Sequence, residues 1–98
     1  SDLKEMNYPV YYFNIKSDEY KDILDDDLDV NLTIEFVDDL EYKKAKLVIN
    51  GVETHIDQDE RLYSKNLDHF VQKGNNAVEL IPSTVLDIVK LSIKYEKN

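Results

Sequence analysis

The fold of this chain is decided by Leu47-Val48-Ile49-Asn50-Gly51-Val52-Glu53-Thr54-His55-Ile56, in which an Asn-Gly pair stands between two apolar runs. Such a pair specifies a two-residue hairpin, because both turn residues need positive φ, which Asn tolerates and Gly accepts freely. Residues whose numbers sum to 101 then face each other, so the register predicts one apolar and one polar face. The predicted pairs are Ile49/Val52, Leu47/Thr54 and Ala45/Ile56 inside, and Val48/Glu53, Lys46/His55 and Lys44/Asp57 outside.

Alternating apolar and polar residues predict further strands around this hairpin, at about residues 9–16, 29–36, 77–81 and 87–96. Tyr11 and Tyr95 fall on the predicted inward faces, so we expect them in the core. Short helical turns are expected after Ser17 and over residues 66–73, the second ending at Gly74. Helices this short cannot cross over between parallel strands. The pattern therefore predicts an all-β, antiparallel β-sandwich, of jelly-roll or immunoglobulin-like topology, with one or two short helical turns.

Composition restricts the classes of function. We predict one β-sandwich domain over residues 9–98, preceded by a lead-in over residues 1–8 that could continue from a removed segment. The 21 Asp and Glu against 12 Lys and Arg give a net charge of -9, which repels nucleic acid and anionic lipid. No run approaches the roughly 20 apolar residues that span a bilayer, so we expect no membrane insertion of this chain. Cysteine is absent, which excludes disulfides and thiolate chemistry.

A longer pattern of motifs follows the hairpin. A strand ending in Asn50-Gly51 leads to a short helical segment, and Lys73-Gly74-Asn75-Asn76 then precedes a strand. This order resembles the second half of jelly-roll domains of the galactose-binding-like class. The resemblance implies a non-catalytic module for carbohydrate or protein binding, often on surface or secreted proteins. An immunoglobulin-like sandwich is the competing topology.

Two acidic stretches are candidate cation sites. Asp25, Asp27 and Asp29 offer carboxylates at alternate positions, which Ca²⁺ would accept as oxygen ligands. The EF-hand pattern does not fit them, and a solvated acidic loop is the competing interpretation. A second stretch could converge with the first in the fold; it contains Asp57, Asp59 and Glu60.

The remaining candidates concern modification and binding. Asn31-Leu32-Thr33 matches the N-glycosylation pattern, with Asn31 on an outer strand face. Among the seven tyrosines, three are candidates for stacking on a sugar or anchoring a protein: Tyr12, Tyr42 and Tyr63. Neither histidine has the partner of a helical zinc site, and no serine lies in a nucleophile turn, so we expect no catalytic residues and no cofactor.

Three functional hypotheses follow from these patterns. The first is a non-enzymatic cell-surface or secreted β-sandwich that binds a protein or a glycan or serves in surface assembly, including the head of a pilin-like subunit and oligomeric forms. The second is an acidic cytosolic module that meets a basic partner in a larger complex. The third is a small hydrolase.

Overall fold

The computed structural model of the chain describes residues 9–37, 41–84 and 86–98, so the predicted lead-in over residues 1–8 lies outside it. The described residues form one helix and seven strands. These elements are β1 (Val10–Ile15), α1 (Ser17–Leu24), β2 (Leu28–Phe36), β3 (Lys43–Ile49), β4 (Val52–Gln58), β5 (Leu62–Asn66), β6 (Gly74–Pro82) and β7 (Ile88–Lys97).

The strands form two antiparallel sheets that pack face to face. Sheet A has the order β1-β6-β3-β4, and sheet B has the order β5-β2-β7. All five strand pairings are antiparallel in the described part of the chain. The predicted all-β antiparallel sandwich with a short helical element is confirmed.

The Asn50-Gly51 hairpin has the register that its sequence predicts. Asn50 and Gly51 have φ of 48° and 84°, as a two-residue turn of this kind requires. All six predicted pairs form between β3 and β4. Ala45, Leu47 and Ile56 are buried, which makes this hairpin one wall of the core.

The core lies between the sheets and is filled by alternate residues of their strands. In β2 every second residue is buried, from Leu28 to Phe36, while the residues between are half-buried on the outer face. Helix α1 contributes Ile23 to the same cluster. Its start is held by Glu19, whose carboxylate accepts the backbone N–H of Lys16 at 2.9 Å, and not by a capping Ser17 side chain.

Two structural expectations need correction. The helical turn expected over residues 66–73 is reduced to one hydrogen-bonded turn, in which the Leu67 carbonyl accepts the N–H groups of Phe70 and Val71. Gly74, with φ of 91°, does not end a helix but opens β6. Tyr11 and Tyr95 point toward the inter-sheet space but remain 38% and 39% exposed. Their strands, β1 and β7, are edges on the same side of the sandwich, where the Tyr95 hydroxyl donates to the Asn14 carbonyl at 3.2 Å.

The sandwich has two ends that carry different loops. The hairpin end holds the Asn50-Gly51 turn, α1 and residues 67–73, and the opposite end holds the loops that follow β2, β4 and β6. The acidic stretch around Asp27 lies at the hairpin end. The stretch around Asp59 follows β4 at the opposite end, so the two stretches do not converge.

Candidate functional site

Asn76 is the centre of a buried hydrogen-bond network at the hairpin end. It is 1% exposed although it faces the core from β6. Its Oδ1 accepts from the Asn50 side chain and from the Gln72 backbone N–H, both at 2.8 Å. Its Nδ2 donates to the carbonyls of Gln72 (2.9 Å) and Gly74 (3.0 Å). All four hydrogen-bonding positions of this carboxamide are used, as a buried polar group requires.

Asn50 joins the same network to the hairpin turn. Its Nδ2 also donates to the Phe70 carbonyl, and its Oδ1 accepts the backbone N–H of Ala77, both at 2.9 Å. Its own backbone N–H donates to the Ala77 carbonyl. The two asparagines therefore fix the start of β6 against the turn, and they serve as structure because their polar atoms are occupied within the protein.

The outer face of sheet A carries the most exposed tyrosine of the described residues. Tyr12 on β1 lies opposite Ala77 on β6, and its neighbour Phe13 lies opposite the buried Asn76. Tyr12 is therefore directed outward, and the residue is 75% exposed. Because alanine is small, it provides little side-chain cover for the tyrosine beside it.

Polar groups lie next to Tyr12 on this face. Asn14 donates from its amide nitrogen to the Asn75 side-chain oxygen at 3.2 Å. Within the described part of the chain the Asn75 amide nitrogen makes no hydrogen bond, so it can donate to a ligand. Glu79 lies one outward position further along β6, opposite Val10. We call this surface the Tyr12 face; it consists of Tyr12, Asn14, Asn75, Ala77 and Glu79.

The chemistry of the Tyr12 face suits a ligand with an apolar side and hydroxyl groups. An aromatic ring offers a flat apolar surface with a negative potential, which attracts weakly positive C–H groups. Amides and a carboxylate at its margin can accept and donate hydrogen bonds in defined directions. A pyranose ring presents both kinds of group.

The far part of sheet A is charged and internally paired. Glu53 lies 3.9 Å from the Lys46 ammonium and 3.4 Å from the His55 imidazole, and all three side chains are largely exposed. Exposed pairs of this kind contribute little stability, about 0–1 kcal/mol. Lys46 is the cation of β3 that lies nearest to the Tyr12 face, and its ammonium group is already close to the Glu53 carboxylate.

The three tyrosines predicted to bind lie in different places. Tyr42 is exposed at the opposite end, and a hydrogen bond with Asp57 is the main cause of the raised pKa of its phenol. Tyr63 faces inward from β5 and packs against the core, where burial raises its pKa. Tyr12 alone of the three stands on an open sheet face, where it lies beside the free amide nitrogen of Asn75.

The predicted calcium ligands lie at and after the end of α1. The backbone N–H groups of Asp25 and Asp27 close this end by donating to the carbonyls of Lys21 and Asp22. Asp29 accepts a hydrogen bond from the Asn98 side chain at 3.2 Å. Across residues 9–37, 41–84 and 86–98, no group of three or more acidic or histidine side chains is arranged to hold a metal ion. Calcium binding by these residues stays a prediction.

Asp68 forms a second polar cluster with Asp29 that the sequence did not reveal. Its Oδ1 accepts the backbone N–H of Val30 at 2.7 Å, which attaches the 67–70 turn to β2. Burial is the main cause of the raised pKa of Asp68, and the nearby Asp29 carboxyl raises this pKa further. Asp68 and Asp29 are 39 positions apart in the sequence, so no local spacing could have indicated their proximity.

Asn31 lies on the outer face of sheet B, as predicted. Its Nδ2 donates to Glu96 and its Oδ1 accepts from the Asn66 side chain, both at 3.0 Å. The nitrogen that would carry a glycan is thus engaged in the folded protein. Glycosylation of Asn31 stays a prediction.

Comparisons with known proteins bear on the fold. No family model matches the chain, and no curated protein matches it. A solved structure, CBM35 from Cellvibrio japonicus Abf62, a carbohydrate-binding module, superposes with a TM-score of 0.56 at 17% sequence identity. The match covers 90% of this chain and 67% of that one. The fold is accordingly a jelly-roll β-sandwich of the kind found in that module. The one helix of the described residues, α1, lacks the length and apolarity needed to cross a membrane.

Proposed function

We propose that this chain is a non-catalytic module that binds carbohydrate on the Tyr12 face. The observation that carries the proposal is the exposure of Tyr12 on a sheet face, beside the free amide nitrogen of Asn75 and the carboxylate of Glu79. An aromatic side chain exposed to this degree gives up favourable burial, which a ligand that stacks on it restores. The similarity of the fold to a carbohydrate-binding module supports the same function.

The proposal extends to the setting of the module. The module would meet its glycans outside the cell or at its surface, where carbohydrate-binding modules are commonly found, as part of a longer or assembled protein. A pilin-like subunit is one form of such an assembly; it requires an apolar helix encoded ahead of Ser1, which the sequence of the gene would reveal. A net charge of -9 keeps the module soluble and away from anionic polymers.

The experiment is a glycan-binding screen followed by calorimetric titration of the best ligand. Tyr12→Ala should weaken binding at least about fivefold, because loss of a central aromatic contact costs more than about 1 kcal/mol. Tyr42→Ala is the matched control, since it removes an exposed tyrosine at the opposite end and should leave the affinity unchanged. Equal loss in the two variants, or no binding to any glycan by the wild-type protein, would refute the proposal.

A further inference from the structure

Exposed apolar side chains are concentrated on one side of the sandwich. Ten large hydrophobic residues of the described chain are exposed, and half of them lie on β1 and β7: Tyr11, Val89 and Tyr95 along the side of the sandwich, and Val10 and Tyr12 on the outer face of sheet A. Beneath them Phe13, Leu91 and Ile93 pack against the core but are only partly buried. Apolar surface gathered in this way is typical of an interaction site. We call it the open side, formed by β1 (Val10–Ile15) and β7 (Ile88–Lys97).

Along the edge of β7 on the open side, the described residues provide no strand partner for the backbone. β7 pairs with β2 along one edge, and none of the described residues forms a strand along the other. Such an edge presents a row of backbone donors and acceptors that can pair with another strand. β7 contains three lysines and one glutamate, Glu96, giving it a charge of +2 in a chain of charge -9.

We infer that the partner of this edge is β7 of a second copy of the chain, paired antiparallel so that opposed residue numbers sum to 186. Ile93 then faces its own counterpart, and Leu91 faces Tyr95. Lys90 faces Glu96, so the two-fold symmetry creates two identical ion pairs. Half-exposed apolar side chains meet on the inner face, and opposite charges meet on the outer face.

The charges on β7 select this register over its neighbours. Sliding one copy by two residues keeps inner residues opposite inner residues, as the alternation of a strand demands. In one direction the shift places Lys90 opposite Lys94, and in the other it places Lys94 opposite itself. Both alternatives oppose like charges, which is destabilising in a cross-strand pair. The proposed register therefore places opposite charges face to face, which neither neighbouring register does.

The extent of the pairing follows from the irregularity between β2 and β7. The register shifts between Glu35 and Phe36, which leaves Val89 as the extra residue of a bulge. Regular pairing with a second copy therefore runs over residues 90–96. It would join two three-stranded sheets into a sheet of six strands and leave the outward Tyr12 faces available. Two linked binding faces would raise the avidity for a repeating glycan.

Charge exchange across the two-fold axis tests the dimer without any glycan. By sedimentation equilibrium, the wild-type protein should form dimers as its concentration rises toward about 1 mM. Lys90→Glu alone and Glu96→Lys alone each replace two attractive pairs by two repulsive ones, so each should weaken self-association about tenfold or more. The control Lys73→Glu makes the same charge change on an exposed loop and should dimerise as the wild type does.

A mixture of the two variants distinguishes charge repulsion across the interface from damage to the monomer. The Lys90→Glu chain has two acids where the Glu96→Lys chain has two lysines, so the mixture should form a heterodimer with near wild-type affinity. The intrachain neighbours Glu35 and Asn31 are unchanged, so damage to the monomer cannot produce this rescue. A wild-type protein that stays monomeric at about 1 mM, variants that dimerise like the wild type, or a mixture that does not associate would overturn the proposal.

Discussion

Replacing Asn76 by alanine should destabilise the protein more than any other single substitution at a polar residue of the hairpin end. The carboxamide is 1% exposed and makes four hydrogen bonds that join the hairpin turn, the segment before β6 and β6 itself. Alanine leaves the Gln72 N–H and the carbonyls of Gln72 and Gly74 without their partner in a buried setting. It also creates a small cavity.

The size of the effect follows from these contacts. Four hydrogen bonds at about 0.5–1.5 kcal/mol each give roughly 2–6 kcal/mol, and we expect about 3–4 kcal/mol because water can reach some of the freed groups. A domain of this size is stable by about 5–15 kcal/mol, so the loss is a large fraction of the total. The melting temperature should fall by roughly 12–32 °C.

Urea unfolding of the wild-type protein and two variants measures the loss. Asn75→Ala is the matched control, because Asn75 immediately precedes Asn76 and is exposed. Its side chain makes one hydrogen bond, which it accepts from Asn14 at 3.2 Å. It should cost less than about 0.5 kcal/mol. The slope of the unfolding free energy with urea should stay constant, so that the midpoints can be compared. If the two variants unfold within about 1 kcal/mol of each other, the network does not have the structural role assigned to it.

Three further substitutions test separate parts of the structure. Gly51→Ala should cost about 1–2 kcal/mol in urea unfolding from backbone strain alone, because φ is 84° and the added Cβ meets nothing within 4 Å; a neutral result would exclude the positive-φ turn. Lys43→Met should cost about 1–3 kcal/mol, since the buried ammonium donates to the carbonyls of Glu41 and Asp59, whereas Lys44→Met should be nearly neutral; equal effects would count against these bonds. Asp68→Asn should increase stability at neutral pH. The pKa of Asp68 is raised in the folded state, so the folded form binds more protons and stability falls as pH rises above 3.8 through the folded pKa. The advantage of the Asp68→Asn variant should therefore disappear at low pH, and an advantage that is constant with pH would contradict this assignment.

The hairpin could be predicted in detail because its determinants are local. Asn50 and Gly51 select the turn, the turn fixes the register, and the register assigns each residue to a face. All six predicted pairs form. The strands with regular alternation were predictable for the same reason, to within a few residues at their ends.

Strand β5 (Leu62–Asn66) was missed because its pattern is inverted. Tyr63 and Lys65 face inward, opposite Ile34 and Leu32, while Leu62 is outward and exposed. Lys65 tolerates this position because its ammonium lies 5.0 Å from the centre of the Phe70 ring. A strand at the edge of a sheet can follow such a pattern, and alternation alone does not reveal it.

The candidate site was only partly predictable. Tyr12 was among the candidates because alternation placed it opposite to the inward residues of its strand. Its neighbours Asn75 and Glu79 come from β6, which is more than 60 positions away in the sequence, so only the strand pairing reveals them. The exposure of Tyr11 and Tyr95 was likewise invisible in the sequence, because it depends on which strands lie at the edge of each sheet.

Glycan binding on the Tyr12 face can be tested residue by residue with nuclear magnetic resonance. In ¹⁵N-labelled protein titrated with the best glycan from the screen, we expect saturable amide shifts centred on Tyr12, Asn14, Asn75 and Glu79. The loops at the opposite end, around Tyr42, should not respond. Shifts confined to the opposite end or to the acidic segment at Asp25–Asp29, with the Tyr12 face unperturbed, would contradict the account.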